Sequence, residues 1–210
     1  MNRGKYLFHT WPLFAPVRFL REAHQFQKRN FINPVPHFFK VRILTNFALK
    51  GSPWIETGTY LGNTTNFLSK RFSKIYTIEP SPTYFSLASK RFRKRKNIEC
   101  LNGTSEAILE LVLEKSKPTV NIWLDGHFSE GGTFLGDTVS PIITELEIIS
   151  RAKNQFTEMA LFVDDIRLFL DSKTGYPPFE FLVQWCTKNE FTWQIQSDIL
   201  IAHRFQSLQD

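Results

Sequence analysis

The 210 residues suffice for one α/β domain with an N-terminal arm and fall short of two full domains. Hydrophobic residues at 42% and charged residues at 22% are ordinary for a globular chain, and no apolar run approaches the ~20 residues of a membrane span. The net charge of +6 is unevenly placed: residues 1–50 hold nine Lys/Arg against the single acid Glu22, while the remainder sums to −2, so the basicity belongs to the arm.

In chain order, the arm begins as polar-aromatic coil around Pro12 and Pro16, and a helix is predicted over Val17–Arg29. Pro34 and Pro36 interrupt it, and a second helix is expected from His37 to Lys50 before Gly51-Ser52-Pro53 opens the main domain. Strands and helices then alternate. Strands are predicted at Trp54–Thr57, Lys74–Glu79, Ile98–Leu101, Val120–Leu124 and Met159–Val163. Helices are predicted at Asn63–Phe72, Thr83–Arg95, Ser105–Lys115, near Val139–Lys153 and at Phe179–Lys188. Thr192–Gln196 and Ile199–Phe205, joined by Ser197-Asp198, read as an antiparallel hairpin. Five β–α units imply a parallel sheet with helices on both faces, and the hairpin completes seven strands. The basic run Lys90–Lys96 ends a helix and reads as a solvated face. Cys100 and Cys186 have no metal spacing and are expected as buried free thiols in a reducing compartment.

Ligands of an open parallel sheet lie outside the carboxyl ends of its strands. Those ends carry Glu56-Thr57-Gly58-Thr59-Tyr60-Leu61-Gly62, Glu79, Gly103-Thr104-Ser105, Asp125-Gly126-His127 and Asp164-Asp165. Gly58 and Gly62 allow a sharp turn into a helix that begins at Asn63-Thr64-Thr65, the arrangement of a nucleotide-type site. Glu79 falls about 20 residues after the first glycine, where an acid that grips ribose hydroxyls belongs. A dinucleotide dehydrogenase would show Gly-x-Gly-x-x-Gly, and this turn reads Gly-Thr-Tyr-Leu-Gly. The two glycosylation triplets, at Asn63 and Asn102, lie inside these turns and follow no secretion signal.

The succession Glu-x-Gly-x-x-x-Gly, acid after strand two, Gly-Thr-Ser after strand three and Asp after strand four resembles the class I S-adenosylmethionine-dependent methyltransferases over about residues 51–205. The resemblance implies a Rossmann-like seven-stranded sheet over 51–210 behind an N-terminal helical arm at 1–50. It implies S-adenosylmethionine contacts from Glu56, Thr57, Gly58, Thr59, Tyr60, Gly62, Thr64, Glu79, Gly103, Thr104, Ser105 and Asp125. Trp123-Leu124-Asp125 with Val163-Asp164-Asp165 is further similar to the cation-dependent O-methyltransferases of catechol and macrolide-sugar type. That likeness implies a divalent cation, Mg²⁺, on Asp125, Asp164 and Asp165, which would acidify an acceptor hydroxyl. Phe128 stands where the catechol type has its catalytic lysine, so His127 is the substitute candidate for the base beside Asp125. Gly131-Gly132 and Thr133 read either as a lid over the substrate or as part of a long surface loop.

The expected activity is methyl transfer to a hydroxyl of a sugar or small metabolite. The alternatives are a metal-free methyltransferase acting on a macromolecule and a non-catalytic cofactor- or partner-binding module of the same fold. The arm's aromatics, Trp11, Phe14, Phe19, Phe26, Phe31, Phe38 and Phe39, with interleaved bases allow three roles. The favoured one is a cap on the sheet or on a twin subunit in a homodimer. Peripheral attachment to an anionic membrane comes second. Nucleic acid is disfavoured because the body extends no basic patch. A cytoplasmic protein, at most peripheral to a membrane, is the expectation.

Overall fold

The computed structural model describes Leu7, Thr10 and residues 12–30, 32–125 and 140–206. Two helices precede the sheet, α1 at Ala15–Lys28 and α2 at His37–Phe47. The body follows as β1 (Trp54–Thr57), α3 (Asn63–Leu68), β2 (Ile75–Glu79), α4 (Pro82–Phe92), β3 (Ile98–Asn102), α5 (Ser105–Ser116) and β4 (Thr119–Leu124). It ends with α6 (Ile142–Ala152), β5 (Glu158–Val163), α7 (Phe179–Lys188), β6 (Thr192–Gln196) and β7 (Ile199–Phe205). The strands form one sheet in the order β3-β2-β1-β4-β5-β7-β6, with β7 antiparallel to both its neighbours, β5 and β6, and the other pairings parallel. This is the expected Rossmann-like α/β architecture.

β1 and β2 are buried at every position, because helices cover both faces of a parallel sheet and apolar runs need not alternate. Successive side chains still point to opposite faces. Ile55, Ile122 and Leu161 enter a core with Leu109 of α5, Leu146 of α6 and Leu182 of α7. Trp54, Trp123 and Phe162 enter the opposite core, and there they meet Leu68 of α3 and Ile43 and Leu44 of α2. The second arm helix is therefore one of the layers of the fold. Asn121 fixes the chain just beyond it, accepting from the Leu49 N–H at 2.7 Å and donating to the Leu49 carbonyl at 3.0 Å. The His203 ring meets the Phe47 carbonyl at 2.7 Å. α1 lies farther out: Phe19 packs on Phe38 and Phe26 on Phe39, and α1 buries no residue fully.

Several details differ from the sequence reading. α3 stops at Leu68 instead of Phe72, and beyond its end the Asn97 amide donates to the carbonyls of Ser69 and Phe72. Two members of the basic run turn inward. Arg91 donates to the Leu61 carbonyl and the Asn63 side chain, and Arg95 to the Asn66 side chain. Cys186 is buried, but Cys100 on β3 is only half-buried. A 3-10 turn at Ile166–Leu170 follows β5. Among the described residues no helix is long and apolar enough to cross a membrane.

Candidate active site

The first half of the site is the turn between β1 and α3. Gly58 and Thr59 donate backbone N–H groups to the Ile78 carbonyl, at 3.0 and 3.2 Å, which carries the chain across β2 before it reverses. Gly62 has φ +70°, and a Cβ there would stand 2.5 Å from the Phe92 ring, so this position needs glycine for two separate reasons. Tyr60 also sits at positive φ, and its backbone N–H is held by Glu79 Oε2 at 2.7 Å. The other Glu79 oxygen accepts from the Ser81 N–H at 2.9 Å. A carboxylate offers about four lone-pair positions, so Glu79 keeps acceptor capacity for a ligand while it shapes the turn.

Glu56 behaves differently. Its Oε2 accepts the Thr65 hydroxyl and, at 2.7 Å, the Thr77 hydroxyl, and Thr59 continues the chain with its hydroxyl 2.6 Å from that of Thr77. Burial pushes its pKa up to about 8, against the pull of those two hydroxyls, so Glu56 is a neutral pin inside the turn at pH 7. Gly103, at φ +146°, donates its N–H to the Glu79 carbonyl at 3.2 Å, and Thr104 and buried Ser105 begin α5 beside it. Thr57 is buried, and its carbonyl accepts the Asp125 N–H at 3.2 Å. These contacts bring the β1, β2, β3 and β4 ends to one edge.

The second half is a cavity of about 380 Å³ lined on the sheet side by Trp123, Asp125, Asp164, Asp165 and Thr64. Its opposite wall comes from the arm: Glu22 and Arg29, then His37 and Lys40 on α2. His37 meets the Thr64 hydroxyl at 3.1 Å; burial, then the nearby Lys40, Arg18 and Arg91 charges, lower its pKa to about 4 and leave it neutral. Lys40 Nζ stands 2.5 Å from Asp164 Oδ2 and 3.0 Å from Asp165 Oδ1. Burial works against its charge, but Asp164, Asp125 and Asp165 together hold its pKa above the usual lysine value. Asp165, at φ +54°, also accepts from Arg167 Nη1 at 2.6 Å, and Arg167 in turn bonds Asp198.

The sequence reading placed a divalent cation on Asp125, Asp164 and Asp165. The residues as arranged do not fit one. An ammonium already bridges the acidic pair, and among the described residues no three acidic, imidazole or thiol groups are disposed to hold a metal. A divalent ion on the same oxygens would lie roughly 3–4 Å from Nζ, a repulsion on the order of 10 kcal/mol at an effective dielectric of ~20. His127, Phe128 and the proposed lid residues Gly131, Gly132 and Thr133 lie outside the described residues.

Lys40, His37, Glu22 and Arg29 escaped the sequence reading, which looked for chemistry at the strand ends. Their spacing carries no motif, and only the fold joins position 40 to position 164. Arg167 had a fair signal, since a base two residues beyond an acidic pair is placed to bridge it.

No family model matches the chain, and no curated protein matches it. Solved structures do. A protein from Staphylococcus aureus assigned as a caffeoyl-CoA O-methyltransferase superposes with a TM-score of 0.56 at 12% identity, covering 86% of this chain and 90% of that one. One from Clostridium thermocellum assigned as an rRNA methylase superposes at 0.53 with 13% identity, covering 79% and 94%. A Streptococcus mutans protein assigned as a methyltransferase, solved with S-adenosylhomocysteine, gives 0.51 with 15% identity, covering 82% and 98%. This is the class I methyltransferase fold. The methyltransferase fold accounts for the strand order and for the reversed last strand, and the similar structures are assigned unlike acceptors.

Proposed function

We propose that the chain transfers the methyl group of S-adenosylmethionine to a hydroxyl oxygen of a small polar acceptor, a sugar or a similar metabolite. One observation carries this reading: Thr64, at the start of the helix entered from the glycine turn, lines the same cavity as Asp125, Asp164 and Asp165. A ligand held by the turn thus presents its reacting end to that cavity. In this reading Glu79 takes the ribose hydroxyls, the Gly58–Gly62 turn faces the methionine part, and Gly103, Thr104 and Ser105 border the base. Asp125 and Asp165 bring carboxyl groups to the cavity wall, where negative charge favours a sulfonium. The cavity wall is charged on both sides, which suits a hydroxylated acceptor better than an apolar one.

The acceptor oxygen attacks the methyl carbon in line. The O–C bond forms as the C–S bond breaks, the electron pair stays on sulfur, and the hydroxyl proton passes to Asp125. Holding the two reactants together at the sheet edge supplies much of the acceleration. No divalent cation enters the scheme.

Calorimetry with S-adenosylhomocysteine and transfer of labelled methyl to monosaccharides, polyols and RNA test the proposal. Binding in the micromolar range, with label appearing on a hydroxylated small molecule, is the expected result. Glu79→Ala should weaken binding about 10–100-fold, the loss of one or two charge-assisted hydrogen bonds. Absence of binding would refute the reading, and label on RNA alone would replace the acceptor class.

A further inference from the structure

We infer that Lys40, delivered by the arm helix α2, is the resident cation of the acceptor cavity and positions the acceptor beside the acidic pair on which the sequence reading expected a divalent metal. The inference rests on the proposed methyl transfer for its catalytic part, while its ion-binding part stands alone.

The geometry is specific. Nζ lies 2.5 Å from Asp164 and 3.0 Å from Asp165, and the lysine side chain is mostly buried, so neither carboxylate depends on solvent for its charge balance. An ammonium has three N–H donors, and these two contacts use two of them. Lys40 also lines the cavity beside Asp125 and Trp123. A third N–H of Lys40 directed at an acceptor oxygen would hold that oxygen near Asp125, which takes the proton.

The arm is anchored where the role requires it. Lys40 lies within the helix whose Ile43 and Leu44 are buried in the second core, so Nζ is positioned by packing and not by a loose tail. Arg167 closes the far side of Asp165 and joins it to Asp198, which leaves that carboxylate bracketed by two organic cations.

Mn²⁺ titration followed by electron paramagnetic resonance, on the full chain, tests the ion-binding part. The wild type should take up no Mn²⁺ at roughly millimolar concentration, and Lys40→Met should bind it at least about tenfold more tightly, with the gain abolished by adding Asp165→Asn. Methyl transfer by the wild type should be unchanged in EDTA. Lys40→Met should raise the acceptor KM about tenfold or more, with S-adenosylhomocysteine affinity within about twofold, and Lys40→Arg should recover part of the loss. Wild-type Mn²⁺ binding that Asp165→Asn removes would overturn the inference, as would Lys40→Met with unaltered acceptor KM. Should Lys40→Met fail to fold, the wild-type titration decides alone. Failure of S-adenosylhomocysteine to bind the wild type would instead refute the methyltransferase reading and leave the Mn²⁺ result standing.

Discussion

Glu56 brings a carboxyl group into the centre of the sheet, where one of its oxygens meets two threonine hydroxyls. Its pKa of about 8, raised by burial, has a definite consequence for stability. Between about pH 4.5 and 8 the folded chain retains a proton that the unfolded chain has lost, so this group's contribution falls as pH rises. Glu56→Gln keeps the shape and an oxygen acceptor but cannot ionise. Relative to this variant, the wild type should lose on the order of 3 kcal/mol between pH 5 and pH 8, measured by denaturant unfolding at both values. Glu145, also buried and raised to about 7, titrates in the same window, which is why the difference between the two proteins is the proper readout. At Gly62 the expected effect is steric. Gly62→Ala should destabilise by about 1–3 kcal/mol and weaken cofactor binding, because positive φ and the Phe92 ring both oppose a Cβ.

At the scale of the element, α2 carries the most unexpected burden. It supplies Leu44, fully buried, to the core beneath β1, and Lys40 and His37 to the cavity above the strand ends. Leu44→Ala should cost about 2–5 kcal/mol and raise the acceptor KM more than the cofactor Kd, since the helix would lose its seat while β1, β2 and β3 keep theirs. Unfolding curves and steady-state kinetics check the two halves of that expectation. The strands were legible from sequence to within a residue because buried parallel strands are short apolar runs bounded by Gly, Pro or acids. The turn after Thr57 was legible because two glycines and two acids mark it locally. The role of α2 was not. Phe38, Phe39, Lys40 and Arg42 look like any basic aromatic helix, and what decides their function is a sheet edge more than a hundred positions away.

Taken as a whole, the candidate site has two halves built from different kinds of signal. The half drawn from β1, β2 and β3 could be read from spacing. In the half from β4, β5 and the arm, the acids were visible and their counter-ion was not. That is how a lysine came to occupy the place assigned to a metal. If the fold binds S-adenosylhomocysteine as proposed, ligand at about 100 times its Kd should stabilise the native state by about 2.7 kcal/mol and raise Tm by roughly 5–10 °C, with no shift from NAD. Differential scanning fluorimetry with each ligand provides the measurement. Lys40 and Asp164 meet across 124 positions of chain. The half of the candidate site that the proposed acceptor would face is thus written in two distant stretches of the chain. Exchange of the first fifty residues would replace Lys40 and His37 while Asp164 and Asp165 stay in place, so any new N-terminal segment must bring its own counter-charge for that acidic pair.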